Sequence, residues 1–306
     1  MPYYLGIDGG GTKTTCAVGD GSRPLATATA GPSNPVRVGE ARTRESLHAS
    51  VRQACAAAGT TPEQVSCTCI GGAGAARPEL AQVVRQILGE ILPGAIEVVG
   101  DMQIALEAAF ETGAGVIVNA GTGSFAYGRN RQGRTLRAGG WGFAIGDEGS
   151  AHWMARSAIA ALLRHSDQDE KAADSGLAQN LFSTWKLNSL LDLARAANSI
   201  PPPDFANLFP AVVSSEDDIA REVLSAGGRE LAKVAAILVH RLFPQEEIGP
   251  VPVGVTGGVF RHSDLVREIF YNELRRLEPR AQIDLQVVDP VEGALRMARR
   301  AASNRS

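Results

Sequence analysis

Short apolar runs alternate with amphipathic stretches along most of the chain. The apolar runs have the length of buried strands, and the amphipathic stretches repeat their apolar residues at helical spacing. The order is strand, strand, strand, helix, strand, helix, strand, helix, and a similar start recurs at residue 114. The predicted strands are 3–7, 16–18, 25–30, 65–70, 96–99, 114–119, 125–128, 135–138, 251–255 and 283–288. The predicted helices are 40–58, 78–92, 102–110, 151–164, 171–178, 184–197, 216–243, 263–277 and 291–300.

The length and the repeat both indicate two domains. The chain has 306 residues, whereas an ordinary domain has roughly 100–200. Each predicted domain opens with two strands joined by a turn rich in glycine and threonine. We predict a first domain at 1–112 and a second at 113–290, with a helical insertion at about 151–245. The C-terminal helix, 291–306, is a candidate for completing the first domain.

Composition argues against several functional classes. The net charge is −3 and aromatic residues make up 5% of the chain, so we expect no binding of nucleic acid. No apolar run reaches the roughly 18 residues that cross a membrane. The first strand begins without a basic and apolar leader, which predicts a cytoplasmic protein. The four cysteines are too few for a disulfide framework, and Cys67 and Cys69 alternate in an apolar run that predicts core packing.

The first glycine turn lies in residues 5–15, LGIDGGGTKTT. Glycine accepts positive φ and leaves backbone N–H groups open to an anion. Thr12 adds a hydroxyl donor, and Asp8 stands where a magnesium ion, bound directly or through water, needs a carboxylate. The turn is neither a Walker A loop nor a GxGxxG motif that opens a helix. A glycine-rich hairpin without a ligand is the alternative that this stretch alone leaves open.

Two further glycine turns follow predicted strands, GTGS at 121–124 and TGG at 256–258. Together with GGGT at 9–12 they resemble the two phosphate loops and the adenosine loop of the actin-like ATPase superfamily. Within it, GGWGFAIGDEGSAHW at 139–153 resembles the N-acetylglucosamine kinase family of the BadF/BadG/BcrA/BcrD-type ATPase group. The resemblance implies an α/β fold of two ribonuclease H-like domains that face each other across a cleft.

The resemblance also implies a reaction. The family phosphorylates an amino sugar with ATP and Mg²⁺, here at the 6-hydroxyl of N-acetylglucosamine, or else of glucosamine or N-acetylmuramic acid. A homodimer is expected on the same ground. By resemblance Asp101, which follows a strand, is the catalytic base and a ligand of the sugar hydroxyl. The alternative is that Asp101 only caps the helix after it.

The family motifs imply roles for further residues. Those expected to bind the nucleotide are Asp8, also on the metal side, Gly10, Gly11, Thr12, Lys13, Gly121, Thr122, Gly123, Gly257 and Gly258. Those expected to bind the sugar, besides Asp101, are Asn34, Ser124, Phe125, Gly140, Trp141, Gly142 and Asp147. Trp141 offers an apolar wall to a sugar ring, with core packing as its alternative. Phe125 departs from relatives that carry asparagine after GTGS, which leaves the amide preference open.

Two other classes share this superfamily. Activator ATPases of acyl-CoA reductases and dehydratases hold an iron–sulfur cluster between subunits through exposed cysteines. The cysteines here, Cys16, Cys55, Cys67 and Cys69, all fall in apolar patterns, which argues against such an activator. Sugar-sensing regulators carry an added DNA-binding segment. We expect none, because the first strand begins at residue 3, and an intact Asp101 also argues against a regulator.

Overall fold

Two compact units make up the structure. The computed structural model describes residues 2–72, 74–75, 77–244 and 249–304. Unit 1 combines Met1–Gly113 with Val288–Ser306, and unit 2 is Ala114–Val287. Each unit is built on its own five-stranded sheet with helices. Within the described residues, no helix combines the length and the hydropathy needed to cross a lipid bilayer.

Unit 1 contains the first half of the predicted repeat. Its strands are β1 Tyr3–Gly9, β2 Thr14–Gly19, β3 Pro24–Ala30, β4 Val65–Gly72 and β5 Ala95–Gly100. Its helices are α1 Pro35–Ala57, α2 Pro78–Gly89, α3 Asp101–Phe110 and α11 Pro290–Ser303. The strand order is β3-β2-β1-β4-β5. Strand β1 is antiparallel to β2 and parallel to β4, which is parallel to β5.

Apolar positions of β1 and β2 form the core of unit 1. Leu5 and Ile7 of β1 and Val18 of β2 are fully buried and cluster with Leu47 and Val51 of α1. The spacing of Leu47 and Val51 places both on one face of the helix. The antiparallel pairing of β1 and β2 therefore holds the glycine turn between them on a rigid base.

Helix α11 packs so closely on the rest of unit 1 that only glycine fits at two of the contacts. A Cβ atom on Gly6 of β1 would overlap the backbone of Leu295, and one on Gly293 would overlap the carbonyl oxygen of Ile104 in α3. At the far end of α3, Arg300 holds the buried Glu107 through two hydrogen bonds of 2.6 and 3.0 Å. Two glycines and one bidentate ion pair thus fix α11 against β1 and α3.

Unit 2 repeats the same sheet plan. Its strands are β6 Gly115–Ala120, β7 Ser124–Arg129, β8 Thr135–Gly139, β9 Val251–Thr256 and β10 Ala281–Val288. The order β10-β9-β6-β7-β8 is that of unit 1 read backwards, with β6 antiparallel to β7 and parallel to β9. Its helices are α4 Ala151–Ser166, α5 Gly176–Trp185, α6 Leu190–Ala197, α7 Phe209–Val213, α8 Asp218–Leu242, α9 Gly258–His262 and α10 Asp264–Leu277.

Two predicted helices of unit 2 are wrong. The predicted helix 171–178 is a 3₁₀ turn, Glu170–Asp174, followed by the start of α5. The predicted helix 184–197 is interrupted because Lys186 adopts left-handed backbone angles after α5. Ser189 then caps α6 by accepting a hydrogen bond from Asp192 N. The apolar residues keep helical spacing across both interruptions, so the pattern does not show them. Side-chain caps and backbone angles set the helix ends.

Other differences concern helix ends and short helices. Helix α1 begins at Pro35 and is kinked at Gly39, whose φ is +76°, so the predicted start at residue 40 marks only its second segment. Helices α7 and α9 have five residues each, which is too short for a periodic pattern to show.

The close packing of α11 gives a test by substitution. Gly293→Ala should lower the free energy of unfolding by about 1–3 kcal/mol, because the new methyl group overlaps the carbonyl oxygen of Ile104. Alanine has a higher helix propensity than glycine by up to about 1 kcal/mol. A net loss of stability therefore means that the steric overlap outweighs this gain in helix propensity. Denaturant unfolding followed by circular dichroism measures the change.

Gly89→Ala is the matched control. Gly89 is also helical, and a Cβ atom there meets nothing within 4 Å. This variant should keep or slightly raise the stability of the parent. Equal stability of the two variants would contradict a backbone contact between α11 and α3.

Candidate active site

The first glycine turn, between β1 and β2, is closed by its own backbone. Gly10 N donates to Lys13 O at 3.0 Å. The turn is also tied to the loop before α1, because Ser33 N donates to Gly10 O at 3.1 Å and Thr14 Oγ1 donates to Gly31 O at 2.7 Å. The Thr14 hydroxyl therefore links the turn to the loop at 31–34 and does not face an anion. That loop lies beside the turn.

Asn34 and Arg37 stand at the start of α1, next to this turn. Asn34 is the N-cap of the helix, and its Oδ1 accepts a hydrogen bond from Val36 N at 3.0 Å. Arg37 lies against Gly11, with Nη1 3.2 Å from the place of a Cβ atom. The sequence interpretation missed Arg37, because its contact with Gly11 depends on the loop that folds back on the turn.

Asp8 and Asp101 lie at one edge of the unit 1 sheet. In the parallel register Gly9 of β1 pairs with Gly72 of β4, which pairs with Gly100 of β5. Asp8 therefore ends β1 at the edge where Asp101 follows β5. Carboxyl ends of parallel strands are the usual ligand-binding edge of α/β sheets.

Asp101 is the first residue of α3 and is not its N-cap. The cap is Gly100, whose N–H donates to Gln103 Oε1 at 3.1 Å. The Oδ1 atom of Asp101 accepts a hydrogen bond from Met102 N at 2.9 Å. The N-cap position therefore lies one residue earlier than expected, at Gly100, whereas the Asp101 carboxylate accepts a hydrogen bond from an N–H group of the first turn. The Asp101 side chain thus serves the start of the helix, and its role as catalytic base stays a prediction.

Two further carboxylates act on Asp8 at this edge. Burial, followed by the negative charges of Asp101 and Asp289, raises the pKa of Asp8 to about 7, and the positive charge of Lys13 opposes this shift. Asp289 is the N-cap of α11 and accepts a hydrogen bond from Val291 N at 3.4 Å. The sequence interpretation did not assign Asp289 to the site. The motif DPVEGA at 289–294 was the signal that could have found it.

The donor chemistry of this edge suits magnesium. Mg²⁺ prefers oxygen ligands and is commonly held by one or two carboxylates together with phosphate oxygens. Burial, together with repulsion from Asp101 and Asp289, raises the pKa of Asp8, and a divalent cation would relieve that repulsion. In the part of the chain that the structure describes, no three His, Cys, Asp or Glu side chains converge as a metal cage.

The second glycine turn, in unit 2, is fastened to the start of α4. Gly121 N donates to Gly123 O, and Gly121 O accepts from Ala151 N, both at 2.9 Å. Ser124 Oγ donates to Glu148 O at 2.7 Å. The predicted site residues 121–124 and the loop 140–150 are therefore held together within this unit.

Asp147 is the polar centre of that loop. It is buried, and its φ of +58° is unusual for a residue with a side chain. Its Oδ1 accepts a hydrogen bond from Gly142 N at 3.0 Å, and a Cβ atom on Gly123 would come within 2.6 Å of Oδ2. Burial raises the pKa of Asp147 and Glu148 adds to this, against the Gly142 N–H and Arg137. Only glycine at 123 lets this carboxylate approach the turn.

Trp141 lies on the surface of unit 2. Its side chain is 71% exposed, so the core-packing alternative is wrong. The Arg137 guanidinium lies over its ring, 4.9 Å from the centroid. Phe125 pairs with Gly139 across β7 and β8 and stands beside Gly140, where a Cβ atom would be 3.0 Å from Phe125 Cβ. Gly140, with φ of +70°, thus allows the turn to lie against the Phe125 side chain.

The third glycine turn begins α9. Gly257 has φ of +105°, and a Cβ atom there would overlap the backbone of Ala120. Its neighbour Gly258 is the first residue of the helix. The close approach to β6 gives Gly257 a packing reason, and binding of adenosine at this turn stays a prediction.

All four cysteines are buried in unit 1: Cys16, Cys55, Cys67 and Cys69. Burial raises the pKa of the Cys16 and Cys69 thiols well above their usual range, and that of Cys55 to about 11. The prediction that Cys67 and Cys69 pack in the core is confirmed. A cluster shared between subunits needs thiolates at a surface, which these side chains do not supply.

The chain matches a known protein family along almost its whole length. A model of the BadF/BadG/BcrA/BcrD ATPase family matches residues 5–298. The chain belongs to this family. Members of the family are ATPases by description, and the resemblance noted in the sequence is confirmed. The match spans both units and all three glycine turns.

Full-length relatives are kinases. An N-acetylmuramic acid/N-acetylglucosamine kinase of Clostridium acetobutylicum is 31% identical over 306 residues, covering 98% of this chain and 99% of that protein. An N-acetyl-D-glucosamine kinase of Dictyostelium discoideum is 27% identical over 312 residues, 96% of this chain and 97% of that protein. This member of the ATPase family is accordingly a phosphotransferase with an alcohol group as acceptor.

A solved structure supports the fold alone. A candidate N-acetylglucosamine kinase from Chromobacterium violaceum has a TM-score of 0.76 at 24% identity, covering 97% of this chain and 99% of that chain. The predicted α/β fold of the actin-like ATPase and sugar kinase type is thereby confirmed.

The raised pKa of Asp8 makes its substitution informative. Between pH about 4 and about 7 the folded protein keeps a proton on Asp8 that the unfolded chain has released. Stability therefore falls as the pH rises through this window. Asp8→Asn removes that loss, so the variant should become progressively more stable than the parent from pH 4 to 7, by up to roughly 4 kcal/mol.

Asp20→Asn is the control, because the pKa of Asp20 is shifted in the opposite direction to that of Asp8. Hydrogen bonds from the N–H groups of Arg23 and Ser22 hold the pKa of Asp20 at about 2. Its contribution to stability is already complete above pH about 4 and is lost only as the pH falls toward 2. The gap between this variant and the parent should stay constant from pH 4 to 7. Urea unfolding at several pH values, without ligands, measures both gaps, and a constant gap for Asp8→Asn would contradict the electrostatic interpretation.

Proposed function

We propose that the protein is an ATP-dependent amino-sugar kinase that phosphorylates the 6-hydroxyl group of N-acetylglucosamine or N-acetylmuramic acid, with glucosamine as a further candidate. The observation that carries this proposal is the common position of Asp8, Asp101 and the first glycine turn at the carboxyl edge of one sheet. Phosphoryl transfer needs an acceptor base, an anion site and cation ligands, and this edge offers residues of each kind. The names of the two full-length relatives support the sugar class.

The glycine turns are assigned to ATP. In unit 1, Gly10 and Gly11 leave the backbone accessible, and Thr12 and Lys13 supply a hydroxyl and a positive charge to phosphates. In unit 2, Gly121, Thr122 and Gly123 are assigned the same task, and Gly257 with Gly258 is assigned to adenosine. Arg37 lies against Gly11 and adds a second cation beside the first turn.

Asp101 is assigned as the base. The 6-hydroxyl oxygen of the sugar attacks the γ-phosphorus, the bond to the β,γ-bridging oxygen breaks, and the hydroxyl proton passes to the Asp101 carboxylate. ADP and the sugar 6-phosphate are the products. Met102 N donates to Asp101 Oδ1, which positions the carboxylate, and a carboxylate accepts hydrogen bonds at both of its oxygens.

Asp8 is assigned to the metal side. Mg²⁺ held there with phosphate oxygens neutralises charge on the nucleotide when it is bound. The protonation of Asp8 near neutral pH means that cation binding releases a proton. A homodimer and a cytoplasmic location remain predictions that belong to the same proposal.

Seven further residues are assigned to the sugar. In unit 2, Asp147 suits vicinal hydroxyls, the exposed Trp141 suits an apolar sugar face, and Gly140 and Gly142 give the loop its backbone angles. Ser124 and Phe125 stand on the adjoining strand. In unit 1, Asn34 uses its carbonyl oxygen as a helix cap, which leaves its amide N–H groups for the sugar.

The Asp101 assignment is tested by Asp101→Asn. Asparagine keeps a side-chain oxygen for Met102 N but does not accept a proton, so kcat should fall by about 10²–10⁴-fold with little change in thermal midpoint. Steady-state kinetics and thermal unfolding are measured on one preparation. A kcat within about threefold of the parent, far short of that loss, would show that the base is another group.

Gln103→Ala is the control for the start of α3. It removes the acceptor of Gly100 N and should cost about 1 kcal/mol of stability. Its effect on kcat should be far smaller than that of Asp101→Asn. Comparable losses of kcat in both variants would assign the effect to helix geometry.

The sugar class is tested by ADP release across a substrate panel. Glucose, glucosamine, N-acetylglucosamine and N-acetylmuramic acid are compared at saturating ATP and Mg²⁺. We expect the highest kcat/KM for an N-acetylated amino sugar and ³¹P spectra of a 6-phosphate product. Activity confined to glucose would overturn the amino-sugar proposal.

A further inference from the structure

One cation stands among the residues assigned to the sugar in unit 2. The Arg137 guanidinium lies 4.9 Å from the ring centroid of Trp141. Its Cδ is 3.7 Å from the place of a Cβ atom on Gly140, and the same place is 3.0 Å from Phe125 Cβ. Arg137 therefore contacts the Trp141 ring, and both Arg137 and Phe125 stand beside Gly140.

Arg137 is exposed on the edge strand β8, and its positive charge acts on Asp147 without an ion pair between the two side chains. Asp147 is hydrogen-bonded to Gly142 N, and Arg137 is the weakest of the influences on its pKa. Among the described residues, no Asp or Glu oxygen lies within 4.0 Å of the Arg137 guanidinium. A guanidinium that contacts an aromatic face still presents N–H donors in a fork that matches a carboxylate.

A neutral sugar has no need of this cation. An aromatic wall and hydrogen-bonding groups are sufficient for its ring face and hydroxyls, and Trp141 and Asp147 provide both. The neighbouring Phe125 adds apolar surface where an amide would serve a neutral polar group. A cation flanked by apolar surface suits a substituent with a short carbon skeleton and a terminal carboxylate.

We propose that Arg137 is a specificity-determining residue that binds a carboxylate carried by the sugar, so that the protein phosphorylates an acidic N-acylated amino sugar. The inference rests on the proposed function and narrows its substrate class. Phe125 contacts the carbon skeleton of the acidic substituent, and Trp141 holds the guanidinium in place through its ring.

The test compares an acidic with a neutral sugar in one protein. Arg137→Met keeps an apolar stem and removes the charge. The ratio of kcat/KM for N-acetylmuramic acid to that for N-acetylglucosamine should fall by about 10- to 100-fold, the usual effect of losing one hydrogen-bonded charge partner. Arg137→Lys keeps the charge without the fork, so its ratio should lie between those of the parent and Arg137→Met.

Arg134→Met is the matched control. Arg134 is exposed in the turn just before β8, so its removal makes the same change in net charge on the same hairpin. Its ratio should stay within about twofold of the parent, well below the effect of losing a bound charge. Thermal midpoints of all variants confirm folding, and Arg137→Lys carries the test if Arg137→Met does not fold.

The outcomes distinguish a failure of the Arg137 inference from a failure of the proposed kinase function. An unchanged ratio in Arg137→Met would overturn the inference, as would an equal loss for both sugars, which would make Arg137 a positioning residue for Trp141. A parent active on N-acetylglucosamine and inactive on N-acetylmuramic acid would also overturn it, and the proposed function would stand. A parent inactive on every sugar would overturn the proposed function itself.

Discussion

The backbone contact of α11 with β1 and α3 supplies one of the charges that act on Asp8. Because Gly6 and Gly293 have no Cβ atom, the helix lies directly on the sheet and on its neighbour. This position brings its N-cap, Asp289, to the edge where Asp8 and Asp101 stand. The repulsion that Asp289 exerts on Asp8 is therefore a consequence of close packing. A wider helix spacing would move Asp289 away and lower the pKa of Asp8.

Unit 2 shows a different solution on the same sheet plan. Its glycine turn is held by hydrogen bonds from Ser124 to Glu148 and from Ala151 to Gly121. The loop that supplies those bonds also carries Asp147 in a left-handed conformation. Backbone strain of this kind persists where surrounding bonds fix it, and it is common at functional sites. One unit thus concentrates acids by packing a helix, and the other holds one acid by bonding a loop.

Local sequence signals were sufficient to predict most strands and several of the residues that stand at the candidate site. The glycine turns and the acid after β5 could be predicted because strands, turns and their junctions depend on neighbouring residues. Arg37 could not, since it gains its place through a contact with Gly11, which is distant in sequence. The motif at 289–294 was visible, but the effect of Asp289 on Asp8 depends on the packing of α11 on unit 1. Arg137 lies near Trp141 in sequence, but a strand pattern does not show the contact between their side chains. The exposure of Trp141 was likewise undecided by pattern, because a tryptophan between glycines fits a core as well as a surface loop.

The late position of α11 in the chain has a consequence for biosynthesis. Unit 2 is one continuous stretch, whereas unit 1 lacks its last helix until after all of unit 2 has left the ribosome. Until then the apolar surface around Cys69 and Ala17, which α11 covers in the finished protein, remains open to water. Domains generally fold as units during synthesis, so the segment translated first is completed last. Nascent chains that stall before residue 290 would expose that surface to chaperones.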